Sequence, residues 1–229
     1  GWVVGNAGLL WTFVIILFAH LISVTTGLSI SSISTDKKVG AGGVYYVLSR
    51  SLGLPMGGAL GITLFTATAF SVALYMVGFA EIFNQYIGFG YIQNETGELI
   101  KDPAFFKNSL RITGSLGLLA LTILAFISTA IALKSQFVIL FLIVLSLFAI
   151  FIGDTSMASQ ISYAPSVEKA SFFEVFAIFF PAVTGFTAGI AMSGDLKNSK
   201  KSIPYGTLLS IAVGLLVYIA LAIFLGTFF

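Results

Sequence analysis

The chain has 229 residues, of which 58% are hydrophobic and 9% are charged, and its mean hydropathy is +1.05. A soluble core does not need so much apolar sequence, whereas a membrane-spanning helix needs about 20 apolar residues in a row. The composition therefore predicts an integral membrane protein. The net charge of +2 does not indicate a class of partner, because in a membrane protein the distribution of charge matters more than its total. The absence of cysteine excludes disulfides and thiolate chemistry.

Both ends of the chain lie in apolar sequence, so we expect it to be part of a longer protein. Residues 1–5 predict the end of one membrane helix, and residues 9–33 predict the next, with a short turn between them. His20, the only histidine, lies near the middle of this second helix. An intramembrane histidine can relay protons, but a hydrogen bond to a neighbouring helix is the more common role.

A short amphipathic helix is predicted at residues 44–52. After it, long uncharged runs predict the remaining membrane spans, at residues 55–86, 112–133, 136–153, 172–196 and 204–229. With the span at 9–33 they make six full membrane helices in one transmembrane domain. The connection at 134–136 must be tight, because an uncharged run of spanning length lies on each side of it.

The span at 172–196 differs from the others because Pro181, Gly185 and Gly189 lie in its apolar middle. Proline removes a backbone donor and clashes with the preceding turn, and glycine lowers the cost of leaving helical geometry. A helix broken near 181–187 would place one positive and one negative half-helix end near the membrane centre. Many secondary transporters bind substrate at such a break. A proline kink, with glycines that serve helix packing, is the alternative.

The positive charges indicate the orientation of the chain. Seven of the 11 Lys and Arg residues fall on one side of the predicted topology, and the other four fall on the opposite side. By the positive-inside rule, the loops on the first side are cytoplasmic, at residues 34–54, 134–136 and 195–204. We therefore expect a multi-pass protein of the cell membrane, with the broken helix running from outside to inside.

Four stretches in order carry a resemblance to a known family: GWVVGNAGLL, TGLSISSISTDKKVGAGGVYYVLSRSLG, ALYMVGFAE and FFPAVTGFTAGIAMSGDLKNSKKSIPYGTLLSI. They resemble the cation-chloride cotransporters, within the amino acid–polyamine–organocation superfamily. The resemblance implies an all-α membrane protein with a LeuT-like core of inverted repeats. This chain would cover the end of the first to the seventh membrane helix, and the discontinuous segment at about 172–196 would be the sixth.

The resemblance also implies a potassium site. In the family, a tyrosine of the third helix joins a proline and a threonine at the break of the sixth, and these match Tyr75, Pro181 and Thr184 here. Phenol, carbonyl and hydroxyl oxygens are hard ligands that suit a weakly hydrated monovalent cation. For Tyr75 the alternative is a core tyrosine that is hydrogen-bonded between helices.

A chloride site on backbone donors just after the break is implied in the same way, and it matches Gly185, Phe186 and Thr187. Amide N–H groups at a half-helix N-terminus suit an anion. The family usually has small aliphatic residues at the last two positions, so Phe186 could reshape the pocket. On the cytoplasmic side, Asp195 could pair with Lys197 or with Arg50 as an inner gate, and a solvated charge run is the alternative.

The implied function is secondary active symport of chloride with a monovalent cation by alternating access. The cation would be K⁺, with the involvement of Na⁺ left open. The expected partners are these ions, the lipid bilayer and a second copy of the chain in a homodimer. Neither a cofactor nor a nucleic acid is expected. An amino acid or small organic solute permease of the superfamily is one alternative, and a non-transporting membrane subunit is another. An enzyme is not expected, because paired intramembrane carboxylates and a His/Asp/Ser cluster are missing from the sequence.

Overall fold

The computed structural model describes residues 1–36, 39–93, 99–153 and 170–228, apart from the side chains at 93, 99, 129, 130, 132, 133, 195 and 228. The described residues belong to two compact units, Gly1–Leu60 with Phe151–Phe229, and Gly61–Ile150. The α-helices are α1 Trp2–Asp36, α2 Gly43–Leu52, α3 Leu54–Ile87, α4 Pro103–Ile127, α5 Thr129–Ile152, α6 Phe172–Phe179, α7 Ala188–Ala191 and α8 Ser199–Phe228.

Five helices among the described residues are long and apolar enough to cross a membrane, within α1, α3, α4, α5 and α8. A shorter apolar segment, Phe172–Val183, belongs to the sixth predicted span. The chain is therefore part of a multi-pass integral membrane protein, as its composition predicts. The amphipathic helix expected at residues 44–52 corresponds to α2.

The N-terminal turn expected after residues 1–5 is a bend within α1. Gly8 has a φ of 71° and a ψ of 166° there, which only glycine adopts without strain. Polar side chains beside the bend serve carbonyls of their own helix: Asn6 Nδ2 donates to Trp2 O over 2.9 Å and Thr12 Oγ1 donates to Gly8 O over 2.8 Å. These bonds satisfy carbonyls near an interruption of the helical hydrogen-bond pattern.

The core of the first unit lies where α1 packs along α8 and against α6. Small residues permit this close approach, as is usual in membrane bundles. A Cβ atom at Gly27 of α1, for example, would lie 2.8 Å from Ile211 Cδ1 of α8. The buried apolar side chains at the centre come from all three helices: Ile15, Ile16, Ala19, Val175, Phe179 and Ala222.

The second unit contains a β-hairpin that the all-α prediction missed. Its strands, β1 Tyr91–Gln93 and β2 Leu99–Lys101, are antiparallel, with Tyr91 opposite Lys101. Glycines at 88 and 90 have positive φ and turn the chain into β1. Because the polar stretch around this hairpin lacks a clear alternating pattern, the sequence indicated a loop and no strands.

A buried polar cluster joins α3 to α4 in this unit. Asn84 Nδ2 donates to Ser109 Oγ over 3.0 Å, and Thr113 Oγ1 donates to Asn84 Oδ1 over 2.7 Å. Asn84 and Ser109 are fully buried. A hydrogen-bonded amide in this position specifies which faces of the two helices meet.

The predicted connection at residues 134–136 is wrong. The helix ends earlier, at Ile127, and Ser128 is extended, with a φ of −167° and a ψ of 117°. Ser128 Oγ accepts a 3.3 Å hydrogen bond from Ile131 N, so this serine caps the start of α5. Residues 134–136 lie inside α5. The charge of Lys134 suggested a loop, but a lysine in the first turns of a helix can extend its ammonium group to the interface.

Candidate functional site at the broken helix

The segment between α6 and α7 is not helical throughout. After Phe179 the chain tightens into a 3₁₀ turn, Phe180–Val183, and Thr184 is extended, with a φ of −83° and a ψ of 175°. Gly185 follows with a φ of 99°, and α7 begins only at Ala188. Pro181 cannot donate to the preceding turn, and Gly185 adopts a φ that side chains disfavour. These two residues explain the interruption.

Three consecutive carbonyl groups at the break, those of Pro181, Ala182 and Val183, are hydrogen-bonded within the protein. Pro181 O accepts from Thr184 N at 3.2 Å and from Thr184 Oγ1 at 2.6 Å. Ala182 O accepts a 2.7 Å hydrogen bond from the phenol of Tyr218, on α8. Val183 O lies 3.4 Å from Ser23 Oγ of α1, which also reaches the carbonyl of its own helix at Ala19 over 3.2 Å.

Unlike these carbonyls, the backbone N–H groups just after the break, those of Gly185, Phe186 and Thr187, have no hydrogen-bond partner among the described residues. Unpaired donors in a membrane protein are costly unless water or a ligand reaches them. The interruption therefore offers three consecutive donors, while the carbonyls of Pro181, Ala182 and Val183 already accept hydrogen bonds.

A cavity of about 500 Å³ lies between the break and α8, and His20 of α1 also lines it. The cavity wall opposite the break is one face of α8, whose lining residues recur every three or four positions. The lining is small or polar at most positions and contains His20, Ala182, Val183, Thr184, Gly185, Phe186, Ala188, Gly189, Ser202, Ile203, Gly206, Thr207, Ser210, Ile211, Gly214 and Tyr218. Among the described residues, no group of three His, Asp or Glu side chains is placed to hold a metal ion.

His20 is 4% exposed and belongs to this cavity. Its Nδ1 lies 2.8 Å from Ile16 O, a carbonyl of the same helix. The hydrogen bond to a neighbouring helix that the sequence suggested is therefore wrong. A carbonyl only accepts, so Nδ1 carries a proton, and Nε2 is the nitrogen left for other partners. The ring also makes an edge contact with Tyr218, with 5.9 Å between centroids.

The residues predicted for the potassium site fall in both units. Pro181 and Thr184 are adjacent at the break and directly hydrogen-bonded to each other. Tyr75 lies on α3 in the unit Gly61–Ile150, and its side chain is 57% exposed. The three-residue cation site therefore stays a prediction. Within the break, Thr184 Oγ1 keeps its lone pairs for a ligand, because it donates its proton to Pro181 O.

The predicted inner gate stays untested, because the side chain of Asp195 lies outside the described part of the chain. The guanidinium of Arg50 lies over the ring of Tyr46, 4.8 Å from its centroid.

The glycine-rich segment at the start of α2 packs against the end of α7 and the turn that follows it. A Cβ atom at Gly43 would lie 2.6 Å from Ile190 O, and Ser193 Oγ donates to Gly40 O over 2.8 Å.

Sequence reasoning missed the two side chains that serve the carbonyls at the break, Tyr218 and Ser23. Both are polar residues within long apolar helices, and a polar residue at membrane depth is expected to find a partner. Their polarity was therefore a usable signal. Their partner was not predictable, because the residues are separated by 36 and 160 positions from the carbonyls that they reach.

Comparison with known proteins gives a consistent result over the full length of the chain. The family model described as amino acid permease matches residues 1–229. The chain is 36% identical to solute carrier family 12 member 2 of Homo sapiens, over 99% of this chain and 19% of that protein. It is 36% identical to member 1 of Oryctolagus cuniculus, over 98% of this chain and 21% of the relative. For member 3 of Mus musculus the identity is 35%, over 99% of this chain and 24% of the relative. The chain thus spans about a fifth of the length of the curated relatives it matches.

Proposed function

Because this chain belongs to the amino acid permease family, we propose that the protein containing it is a secondary active transporter, which moves chloride together with a monovalent cation. The solute carrier family 12 relatives confirm the family resemblance seen in the sequence. The cation is K⁺ in this proposal, with Na⁺ as a further candidate, and transport proceeds by alternating access. A cation and an anion at adjoining sites offset each other's cost of desolvation, which couples their movements.

The observation that carries the proposal is the row of free backbone donors at the break. Three consecutive N–H groups, of Gly185, Phe186 and Thr187, have no acceptor among the described residues. Gly185 and Phe186 also line the cavity of about 500 Å³. Such groups bind an anion without a full opposite charge, so the anion is not held too tightly to leave.

For the cation, the break offers two oxygen ligands, Thr184 Oγ1 and Pro181 O, which differ in whether they already accept hydrogen bonds. Thr184 Oγ1 retains lone pairs, whereas Pro181 O already accepts two hydrogen bonds from Thr184. A bound cation would therefore compete with these bonds at the carbonyl. We propose Tyr75 as the third ligand, on the basis of the sequence resemblance, since its phenol oxygen is a hard donor atom.

A second candidate is an amino acid permease, which the description of the family favours. The free amides after the break would suit a carboxylate as well as chloride. The ammonium group of an amino acid would need carbonyl acceptors at the preceding half-helix, where Pro181 O and Ala182 O already accept hydrogen bonds. K⁺ would have to displace the same hydrogen bonds, so these carbonyls do not distinguish the two candidates. We rank chloride with a monovalent cation first because of the sequence resemblance.

Uptake by the full-length protein in liposomes distinguishes these functions. Rubidium uptake that requires chloride on the same side of the membrane is the expected result. Amino acid uptake that is indifferent to chloride would favour the permease. Absence of flux with any of these solutes would favour a membrane subunit that does not transport.

A further inference from the structure

The cavity beside the break combines hydrogen-bond donors with an absence of fixed charge. Its described lining includes the amide-bearing residues Gly185 and Phe186 and the hydroxyl of Thr207, which is 3% exposed. None of the described lining residues is an acid, a lysine or an arginine. An anion that enters such a cavity loses hydration and meets no opposite charge from the described side chains, unless one forms there.

His20 is the residue that can supply this charge. The ring is nine-tenths buried or more, at 4% exposure, and lines the cavity. With Nδ1–H held by Ile16 O at 2.8 Å, Nε2 has no hydrogen-bond partner among the described residues. A Cβ atom at Gly214 of α8 would lie 3.9 Å from Nε2, so this nitrogen points away from its own helix and toward α8, where both residues line the cavity.

We propose that this cavity is a proton-linked anion site, in which Nε2 of His20 takes up one proton when a small anion such as chloride binds. The proposal rests on the function proposed above and adds a proton to it. The proton comes from the water on the side to which the cavity is open, and it is released when the anion leaves. Imidazolium is the one cation that the described lining can form, and its N–H is a charge-assisted donor for an anion.

The groups that surround His20 do not offer another source of this linkage. From α8 the facing titratable group is Tyr218, whose phenol already donates to Ala182 O over 2.7 Å. Residues 182–186 at the break carry no titratable side chain, and Glu174 of α6 is on the exposed side of its helix. On α1 itself, His20 is the titratable residue that lines the cavity.

Linkage fixes the sign of the expected effect. If the anion and the proton each favour binding of the other, both affinities change by the same factor. Raising the pH then weakens chloride binding, because fewer molecules carry the imidazolium. The half-saturating chloride concentration of the full-length protein should be about five- to tenfold higher at about pH 8 than at about pH 6.

The first experiment measures chloride-dependent rubidium uptake at these two pH values for the wild type, for His20→Gln and for a matched control. Gln keeps a hydrogen-bonding side chain but cannot become charged, so its chloride affinity should be independent of pH. Thr25→Val changes an exposed residue of the same helix, whose hydroxyl bonds only to Leu21 O and Ile22 O, and it should keep the pH dependence of the wild type. A chloride affinity of the wild type that is equal at both pH values overturns the proposal.

A second measurement needs neither transport nor a folded variant. Chloride is added to lightly buffered, detergent-solubilised full-length wild-type protein near neutral pH, and an indicator dye follows the protons. Uptake of up to one proton per protein, absent when gluconate replaces chloride, is expected. Chloride binding without proton uptake contradicts the proton linkage even if symport is established. Proton uptake on chloride addition, without any rubidium flux, would instead preserve the site and reject the proposed symport.

Discussion

The phenol of Tyr218 donates a 2.7 Å hydrogen bond to the carbonyl oxygen of Ala182, which joins the last described helix to the break in the discontinuous one. The Tyr218 ring also packs edge-on against Phe179, with centroids 5.4 Å apart. Tyr218 therefore holds both the last turn of α6 and a carbonyl that the break would otherwise leave open. Through this pair, α8 determines the position of the residues that lead into the candidate site.

Replacing Tyr218 with Phe removes the hydroxyl and keeps the ring contacts. We expect the stability of the full-length protein to fall by about 1 kcal/mol, the usual net value of one hydrogen bond. We also expect a weaker apparent affinity for rubidium, because Ala182 is next to Pro181. Thermal unfolding in detergent and rubidium uptake measure the two effects. Tyr205→Phe, on the same helix and 77% exposed, is the matched control and should behave as the wild type.

Gly185→Ala tests the backbone at the break. Nothing lies within 4 Å of the position that its Cβ would take, so the cost comes from the φ of 99° alone. Strain of this kind costs about 1–3 kcal/mol, and the residue can avoid it only by moving the amides that follow. We expect chloride-dependent rubidium uptake to be lost or strongly reduced. Gly58→Ala, at an equally open position within a helix, should have little effect. Wild-type chloride affinity in Gly185→Ala would count against an anion site on these amides.

Tyr75→Phe tests the proposed third ligand of the cation. Loss of the phenol oxygen should weaken the apparent rubidium affinity more than the apparent chloride affinity, because only the cation uses that oxygen. Full concentration series for both ions in the same liposome preparation give the comparison. Tyr86→Phe, also on α3 and 92% exposed, serves as the control. Equal losses of affinity for the two ions would contradict the assignment of Tyr75.

Asn84→Ala tests the polar cluster of the second unit. The substitution removes two hydrogen bonds and leaves Ser109 and Thr113 without their amide partner. Ser109 Oγ keeps its 2.8 Å hydrogen bond to Phe106 O, but Thr113 Oγ1 loses its acceptor. An unsatisfied buried group costs about 1–3 kcal/mol, so we expect a clear fall in thermal stability. Asn84→Asp would restore an acceptor for Thr113 but not the donor for Ser109. Its melting temperature should therefore also lie below that of the wild type. A melting temperature unchanged by Asn84→Ala would show that the cluster contributes little.

Hydropathy predicted the membrane class and most helix positions, since both depend on local composition. It placed the helix containing Lys134 incorrectly, because the interruption at Ser128 depends on a local serine cap and not on charge. At the candidate site, Pro181 and Gly185 marked the break, because their effect on the backbone is intrinsic. The roles of Tyr218 and Ser23 depend on which helices become neighbours. That information is not contained in either residue's local sequence.

The main-chain contact of Gly43 with Ile190 differs from an ion pair in how it responds to the surrounding solution. Two stretches of backbone meet there without an intervening side chain, since even a methyl group at Gly43 would lie 2.6 Å from the carbonyl oxygen. Dissolved salt weakens attraction between exposed charges but has little to act on in a neutral contact of this kind. This contact would therefore hold equally well in dilute and concentrated electrolyte, as the proposed transport of chloride with a cation would require.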